Sequence, residues 1–203
     1  MSKESAAEQK KIIRVSYLEN RNRMEAENRR AASEKIAEFL FDNKHFKAAQ
    51  TVFVYASYKT EVETINIILN ALAMGKQVAV PKVQGEEMFF YEINSVMDLF
   101  PGYQGILEPR CEGLETVLPA EGDVMLVPGA VFDLQGGRIG YGKGYYDRYR
   151  NGIESTCGNQ PYCIGLAFDC QISPKKLPLE EHDKKIDCIL TERRVIMPRV
   201  EKS

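Results

Sequence analysis

The sequence predicts a layered α/β fold with a largely parallel sheet. Short apolar runs rich in β-branched and aromatic residues alternate with amphipathic helical stretches along the chain. These runs are apolar throughout, as strands are when both faces of a parallel sheet are covered. The 203 residues are 44% hydrophobic and 28% charged, which excludes a disordered or fibrous protein. A chain of this length is expected to form one compact unit without disulfides or metal.

The first elements along the chain are two helices, expected within residues 6–41. In the first helix Lys10, Arg14, Leu18 and Arg21 follow one another at spacings of four, four and three residues, so they share one face. The second helix has a stripe of apolar side chains that is expected to be buried. That stripe consists of Ala32, Ile36, Phe39 and Leu40.

A change of period after the helices predicts the sheet. Residues 51–57 form the first expected strand, and Thr60 to Glu63 fit a capping box that would start a helix ended by Gly75. Residues 94–122 contain many glycines and prolines and are expected to be a long connection. Further strands are expected at 77–83, 88–93, 124–127, 162–168 and 187–191, with a helix at 145–150. Ligands of such folds bind beyond the carboxyl ends of the strands.

Charge and cysteine content exclude several classes of protein. The 27 basic and 29 acidic side chains leave a net charge of -2, which argues against a nucleic-acid or membrane-surface binder. No apolar run approaches the ~18 residues that a membrane span requires. The N-terminus has no apolar segment of the kind found in secretory signals, and the five cysteines form no C-x-x-C pair. We therefore expect reduced thiols and a cytoplasmic protein, with no zinc site.

The stretch GGRIGYGKGYYD, residues 136–147, carries the clearest chemical signal. Dense glycines let backbone N–H groups approach an anion, and a following helix N-terminus adds a partial positive charge. Arg138 and Lys143 would supply full charges to phosphate. The alternative is a flexible surface loop with a solvated lysine, but the flanking strand, helix and basic residues favour phosphate binding. Residues 137–143 match the P-loop pattern G-x-x-x-x-G-K, although Gly144 replaces the Ser or Thr that would contact magnesium.

Carboxylates near this loop are candidate metal and ligand contacts. Asp147 lies about one helical turn after Lys143 and suits a magnesium ion that bridges to phosphates. Asp187, at the start of a late strand, is a second and weaker candidate. Glu61 could face the ligand edge of the sheet. For both Asp147 and Glu61 the alternative is an acidic residue that stabilises the first turn of a helix.

Basic and aromatic residues complete the candidates. Lys10, Lys11 and Arg14 form a basic cluster whose default interpretation is a solvated helix face. The tyrosines of the glycine-rich stretch either stack on a planar ligand or pack the loop against the protein. They are Tyr141, Tyr145 and Tyr146.

The segments VPGAVFD, residues 127–133, and RIGYGKGYYDR, residues 138–148, closely resemble the signature of the 5-formyltetrahydrofolate cyclo-ligase family, also called methenyltetrahydrofolate synthetases. Shorter segments fall in the order of the family, and the resemblance covers about residues 10–192. These segments are 10–14, 21–24, 61–64 and 177–183, with Asp187 and 191–192. The resemblance implies that residues 1–203 form a single three-layer α/β/α domain, similar to sugar-phosphate isomerases and coenzyme A transferases.

The resemblance also implies a reaction. The family uses ATP and Mg²⁺ to convert 5-formyltetrahydrofolate to 5,10-methenyltetrahydrofolate, with release of ADP and phosphate. The formyl oxygen attacks the γ-phosphate, and a neighbouring folate nitrogen then closes on the activated carbon and expels phosphate. Positioning and electrostatic stabilisation carry most of such a phosphoryl transfer.

Matching positions imply the following roles. Lys143 and Arg138 supply the catalytic charge, and Asp147 and Asp187 hold magnesium. The ATP-binding residues are Lys10, Lys11, Arg14, Arg138, Gly140, Tyr141, Gly142, Lys143, Gly144, Tyr145 and Tyr146. The folate contacts are Tyr55, Glu61, Tyr141, Gly142, Lys143, Gly144 and Tyr145, with Glu61 at the pterin end. Some family members carry Arg where this chain has Tyr141, so that charge is either missing here or supplied by Arg138.

Other functions remain open at this point. A non-catalytic module that binds a phosphorylated ligand or folate would use the same fold, and a sugar-phosphate isomerase would not consume ATP. A nucleic-acid-reading regulator is disfavoured, because glutamates interrupt the only basic helices. These glutamates are Glu19, Glu25, Glu27 and Glu34. We expect a monomer whose partners are ATP and a reduced folate, with no nucleic acid and no membrane.

Overall fold

The computed structural model describes residues 5–198. Its helices alternate with strands along the chain, as the sequence predicts. The helices are α1 (Ala6–Asn22), α2 (Ala26–Asp42), α3 (Lys44–Ala48), α4 (Ile65–Ala73) and α5 (Tyr145–Cys157). The strands are β1 (Thr51–Phe53), β2 (Gln77–Gln84), β3 (Glu87–Ile93), β4 (Leu99–Pro101), β5 (Leu107–Pro109), β6 (Val124–Val127), β7 (Val131–Asp133), β8 (Arg138–Ile139), β9 (Tyr162–Leu166), β10 (Ile172–Ser173), β11 (Cys188–Leu190) and β12 (Val195–Ile196).

A seven-stranded sheet forms the centre, in the order β12-β11-β9-β6-β1-β2-β3. Its neighbouring strands from β11 to β2 pair in parallel, and the edge strands β12 and β3 are antiparallel. A small sheet, β10-β7-β8, and a hairpin of β4 and β5 lie outside it. The expectation of a largely parallel sheet is confirmed.

Alternate residues of the central strands enter two separate cores. In β1, Val52 packs in a cluster that includes Ile36 of α2 and Ile68 of α4. The next residue, Phe53, belongs to a second cluster against which Tyr149 of α5 packs. Because successive side chains of a strand point to opposite faces, α2 and α4 cover one face of the sheet and α5 covers the other. The protein therefore has the α/β/α layers that the resemblance implies.

Several element boundaries differ from the sequence-based expectation. The first strand ends at Phe53, the later strands end at Leu166 and Leu190, and α5 continues to Cys157. The expected long connection, 94–122, contains the β4–β5 hairpin and two short 3-10 turns. Strand ends are poorly marked in the sequence because the apolar run continues into the buried chain after each strand.

The predicted capping box at Thr60 to Glu63 is wrong. Helix α4 begins at Ile65 with Thr64 as its N-cap residue. The Thr64 hydroxyl donates to the carbonyl of Tyr55 at 2.6 Å, and the backbone N–H of Tyr58 donates to the Glu61 carboxylate at 2.8 Å. These bonds fold residues 55–64 into a loop, so Glu61 faces the sheet edge and not the first turn of a helix.

The cysteines whose side chains are described form no disulfide. Cys111, Cys163, Cys170 and Cys188 are free thiols. Burial raises the pKa of Cys163 and of Cys188 to about 11, which keeps both thiols protonated near neutral pH. Within residues 5–198, no helix has both the length and the apolar character needed to cross a membrane.

Candidate active site

A cleft of about 840 Å³ lies at the carboxyl ends of β1, β2 and β6. Its sides come from α1, the loop before α4, the β4–β5 hairpin, the glycine-rich loop 140–144 and the first turn of α5. This is the edge of a parallel sheet at which ligands are expected to bind.

Most of the predicted site residues line this cleft, although they come from distant parts of the sequence. The glycine-rich loop contributes its whole length, and α1 lies across it. The lining residues among those predicted are Lys10, Arg14, Tyr55, Glu61, Arg138, Gly140, Tyr141, Gly142, Lys143, Gly144, Tyr145, Tyr146 and Asp147.

The structure does not bring Lys11 and Asp187 into the cleft, which corrects the expectation of their placement. Lys11 follows Lys10 by one residue, a rotation of about 100° around the helix, and its side chain is 69% exposed on the outer face of α1. Asp187 precedes β11 at the opposite edge of the sheet, where its carboxylate accepts the backbone N–H of Cys163 at 2.8 Å. Asp187 therefore ties β11 to β9.

The predicted face of α1 points into the cleft, since Lys10, Arg14, Leu18 and Arg21 all line it. The Lys10 ammonium contacts the Glu180 carboxylate at 2.7 Å and the Asp183 carboxylate at 2.5 Å. Burial opposes the charge of Lys10, but these hydrogen bonds outweigh it and raise the pKa of Lys10. Lys10 is thus held by two carboxylates of the chain itself.

Arg14 supports the glycine-rich loop. Its Nε donates to the carbonyl of Gly140 at 2.7 Å, and burial lowers the pKa of Arg14. Gly142 has a φ of 96°, and a Cβ added there would lie 3.3 Å from the Arg14 guanidinium carbon. The loop requires glycine at this position, both for its backbone conformation and for its contact with Arg14.

Arg138 and Asp147, a predicted phosphate contact and a predicted metal ligand, bind each other. Arg138 Nη2 lies 2.7 Å from the Asp147 carboxylate, with the two side chains 3% and 16% exposed. Arg138 Nη1 also donates to the carbonyl of Pro128, and the second Asp147 oxygen accepts the backbone N–H of Lys184 at 3.2 Å. The pair joins β8 to α5 beneath the cleft.

Lys143 is the exposed cation of the glycine-rich loop. Among the described residues, its ammonium takes part in no ion pair or hydrogen bond, while its carbonyl accepts a 2.7 Å hydrogen bond from Arg148. Gly144 follows with a φ of 67° as the N-cap residue of α5, so the free N–H groups of the helix begin at the cleft. An exposed cation next to a helix N-terminus is suited to phosphate oxygens.

Glu61 forms the acidic centre of a second part of the cleft. The residue is half-buried, and burial raises the pKa of its carboxyl group. A hydrogen bond from Tyr141, the backbone N–H of Tyr58 and the charge of Arg21 act in the opposite direction. Tyr55 lies beside it, and burial together with the Glu61 charge raises the pKa of the Tyr55 hydroxyl.

The sequence-based site left out Arg21, which is only 6% exposed and lines the cleft. Its Nε donates to the Thr60 hydroxyl at 3.1 Å, and its Nη1 donates to the Tyr141 hydroxyl at 2.7 Å. The face shared with Arg14 was the signal that could have identified it. Because Arg138 is committed to Asp147, the guanidinium that contacts Tyr141 is that of Arg21 and not that of Arg138.

An apolar wall faces these charges, and sequence patterns did not identify it. Glu108 lines the cleft next to Leu107 of this wall; it is 8% exposed, and burial raises the pKa of its carboxyl group. Lys59 and Gln104 have φ angles of 53° and 55°, an uncommon conformation for residues other than glycine, and both line the cleft. The apolar residues of this wall are Pro81, Val83, Met88, Ile106 and Leu107.

Asp147 is the carboxylate in the first turn of α5, beside the glycine-rich loop, and it suits a magnesium ion bound with phosphates. Asp147 provides hard oxygen atoms that retain lone pairs beyond its two hydrogen bonds. Within residues 5–198, the one group of three side chains spaced for a metal is Glu180, His182 and Asp183, and two of these already hold Lys10.

Comparisons with known proteins show the family to which the chain belongs. The model of the 5-formyltetrahydrofolate cyclo-ligase family matches residues 6–192. The chain is 30% identical over 190 residues to the 5-formyltetrahydrofolate cyclo-ligase of Mus musculus, covering 90% of this chain and 93% of that relative. Identity with the Escherichia coli K12 protein of the same name is 30% over 150 residues, or 72% of this chain and 80% of the relative.

Solved structures of methenyltetrahydrofolate synthetases resemble this chain. The NMR structure of 5,10-methenyltetrahydrofolate synthetase from Aquifex aeolicus aligns with a TM-score of 0.79 and 34% identity, over 96% of this chain and 95% of that one. A synthetase structure from Mycoplasma pneumoniae has a TM-score of 0.66 at 21% identity, over 90% of this chain and 98% of that one, and supports the fold alone. The chain belongs to the 5-formyltetrahydrofolate cyclo-ligase family, whose members are ligases of one-carbon metabolism.

Proposed function

We propose that this protein catalyses the ATP-dependent conversion of 5-formyltetrahydrofolate to 5,10-methenyltetrahydrofolate. The observation that carries the proposal is the content of the 840 Å³ cleft, which joins a phosphate-type loop to a half-buried carboxylate and an apolar wall. A ligase that couples ATP to ring closure needs both environments within reach of each other. Membership of the cyclo-ligase family supports the same reaction.

The proposed chemistry has two steps. The formyl oxygen attacks the γ-phosphorus of ATP, and the bond from that phosphorus to the ADP oxygen breaks. The N10 nitrogen of the folate then attacks the activated formyl carbon and loses its proton, and phosphate leaves with the former formyl oxygen. The product is the methenyl cation, together with ADP and inorganic phosphate.

The glycine-rich loop would bind the transferring phosphate. Lys143 is free to neutralise the charge that develops on the phosphate oxygens, and the first N–H groups of α5 provide further donors. Arg14 holds the loop through Gly140 and adds positive charge beside it. Arg138 acts from below by fixing Asp147 and the start of α5.

The other side of the cleft would bind the folate. Glu61 would accept hydrogen bonds from ring N–H groups of the pterin, and Tyr55 and Tyr145 line the cleft around it. The apolar wall shields the reacting atoms from water, which strengthens the electrostatic interactions within the cleft. Binding both substrates in one orientation provides much of the rate advantage of an intramolecular reaction.

Asp147 would hold a magnesium ion that offsets the charge of the ATP phosphates. We expect Asp147→Asn to raise the Mg²⁺ concentration needed for half-maximal rate, whereas Asp187→Asn leaves it unchanged. Circular dichroism would establish that both variants are folded. An unchanged Mg²⁺ requirement in Asp147→Asn would contradict this assignment.

The test of the activity is a single assay with two readouts. Purified protein is mixed with ATP, Mg²⁺ and 5-formyltetrahydrofolate, and the absorbance of the methenyl product is followed together with ADP release. Both are expected, in equal amounts. Folate binding without either product would indicate a non-catalytic binding module, and turnover of a sugar phosphate without ADP would indicate an isomerase.

A further inference from the structure

Arg21 is a buried cation at the cleft whose partners are neutral. Both groups that its side chain contacts by hydrogen bonds within the described residues are hydroxyls, those of Thr60 and Tyr141. A guanidinium has five N–H donors and these bonds use two. Lys10 and Arg138, the other buried cations of the cleft, are held directly by carboxylates. Arg21 therefore differs from Lys10 and Arg138 because its charge is not neutralised by a directly bound carboxylate.

The contacts of Arg21 lead to Glu61 from two directions. Thr60, which accepts from Nε, is the residue before Glu61 in the chain. Tyr141 accepts from Nη1 at 2.7 Å, and its hydroxyl, which also lies 3.4 Å from the carbonyl of Gly129, interacts with the Glu61 carboxylate. The guanidinium also lies over the Tyr141 ring, 5.5 Å from its centre. Arg21 thus holds the Thr60 side chain, one residue before Glu61, and the Tyr141 hydroxyl that interacts with the Glu61 carboxylate.

The remaining groups around Glu61 do not supply a positive charge. Tyr55, Tyr141 and Tyr146 face it and are neutral at physiological pH, because burial raises the pKa of each hydroxyl. The other hydrogen bond to the carboxylate comes from the backbone N–H of Tyr58. Arg21 is the cation whose field acts on Glu61 within the described residues. In a half-buried site such a field is screened less than at the surface.

We propose that Arg21 is a positioning residue of the cyclo-ligase reaction, which acts through Tyr141 to hold the Glu61 carboxylate ionised and oriented toward the folate. The inference rests on the proposed function, since Glu61 is assigned to the folate there. Arg21 lies on α1, so the same helix that contributes Arg14 to the phosphate loop also controls the folate end of the cleft.

Steady-state kinetics of Arg21→Leu test this role. We expect the KM for 5-formyltetrahydrofolate to rise about tenfold, the effect of losing one charge-assisted contact. The KM for ATP stays within about twofold, a change worth less than one hydrogen bond. The acid limb of kcat/KM for the folate moves to higher pH, because Glu61 without a nearby cation takes up a proton more readily. Arg23→Leu, two residues later at the exposed C-cap of α1, is the matched control and leaves all three unchanged.

A double-mutant cycle tests the path through Tyr141. If Arg21 acts through the phenol, Arg21→Leu combined with Tyr141→Phe has about the same KM for the folate as the more severe single variant. Arg21→Lys restores the charge without the planar fork and is expected to recover part of the pH profile. Additive losses in the cycle would overturn the path.

The outcome separates this inference from the proposed function. Titration calorimetry of 5-formyltetrahydrofolate without ATP, across the same pH range, measures the Arg21 effect even if wild-type protein shows no turnover. Loss of thermal stability in Arg21→Leu, with an unchanged pH profile and equal changes in both KM values, would show a purely structural role. Wild-type protein that neither binds the folate nor turns it over would overturn both proposals.

Discussion

Two regions of the cleft treat their positive charges in opposite ways. On the α5 flank, defined by Lys10, Arg138, Asp147 and Asp183, each cation is bound to a carboxylate of the chain. On the loop face, defined by Arg14, Arg21, Tyr141 and Lys143, the cations contact carbonyls or hydroxyls, or have no partner among the described residues. The cations of the α5 flank are already paired within the fold, whereas those of the loop face retain charge that is available to a ligand.

The difference between the two regions predicts which substitutions destabilise the fold and which only slow the reaction. A cation on the α5 flank should contribute mainly to the free energy of unfolding, because removing it leaves a carboxylate without its partner. A cation on the loop face should contribute mainly to catalysis, because its charge is not used within the fold.

The largest effect is expected for Arg138→Leu. Breaking a buried ion pair by removing one partner costs about 3–5 kcal/mol, because the remaining charge is left unpaired. Urea denaturation followed by circular dichroism measures this loss, and activity should disappear with it. Arg30→Leu is the control, at an exposed arginine of α2 that does not line the cleft. A stable but inactive Arg138→Leu protein would place Arg138 on the loop face instead.

Lys143→Ala should lose activity without losing stability. Loss of a donor that stabilises transition-state charge lowers kcat by about 100-fold or more, while the free energy of unfolding changes by less than about 0.5 kcal/mol. ADP release under saturating substrates and urea denaturation together measure both quantities. Near-normal kcat would remove Lys143 from the phosphate, and with it the distinction between the two regions.

Glu61→Gln sharpens the comparison at the acidic end of the cleft. Burial raises the pKa of Glu61, so the folded state favours the protonated carboxyl group. This preference adds to the free energy of unfolding below the ordinary pKa of a glutamate, and the contribution is lost as pH rises through the raised pKa. The variant should be about 0.5–1 kcal/mol more stable than wild type at pH 7. Its affinity for the folate should fall about tenfold, as a charge-assisted hydrogen bond is lost. Equal stability at pH 7, measured by thermal unfolding at several pH values, would contradict this.

The sequence was sufficient for the fold and for most of the cleft, for reasons that particular elements illustrate. Strand β6 and helix α5 follow each other along the chain in the order that a parallel α/β sheet requires, so both could be predicted from the hydrophobic pattern, whereas the short strands β7 and β8 between them were not predicted. The face of α1 was correct because helical spacing places Lys10, Arg14 and Arg21 together. Local patterns are reliable where one element alone determines which side chains share a face.

Partner choice could not be derived in this way. The bond between Arg138 and Asp147, and that between Lys10 and Asp183, join residues 9 and 173 positions apart. Nothing in the sequence distinguishes a lysine bound to a carboxylate from one left free. Glu61 illustrates the same limit: a capping pattern competed with loop bonds from Tyr58, and the loop bonds determined the conformation.

The smallest effects are expected on α1. Variants of its adjacent residues Lys10 and Lys11 distinguish the two interpretations of the basic cluster, as cleft residues or as a solvated helix face. Lys10→Met should lower the free energy of unfolding at pH 7 by about 1 kcal/mol, since it removes a partly screened ion pair. Burial opposes the charge of Asp183, but the backbone N–H of Glu180 and the Lys10 ammonium outweigh it and lower the pKa of Asp183. The Lys10–Asp183 ion pair therefore contributes fully above the ordinary pKa of an aspartate, and its contribution is lost as pH falls through the lowered pKa. The difference from wild type should therefore vanish in acid. Lys11→Met, with a side chain 69% exposed, should change neither stability nor the KM for ATP. A rise in the KM for ATP in Lys11→Met would mean that the outer face of α1 reaches the nucleotide, and that helical phase alone had assigned the cleft face wrongly.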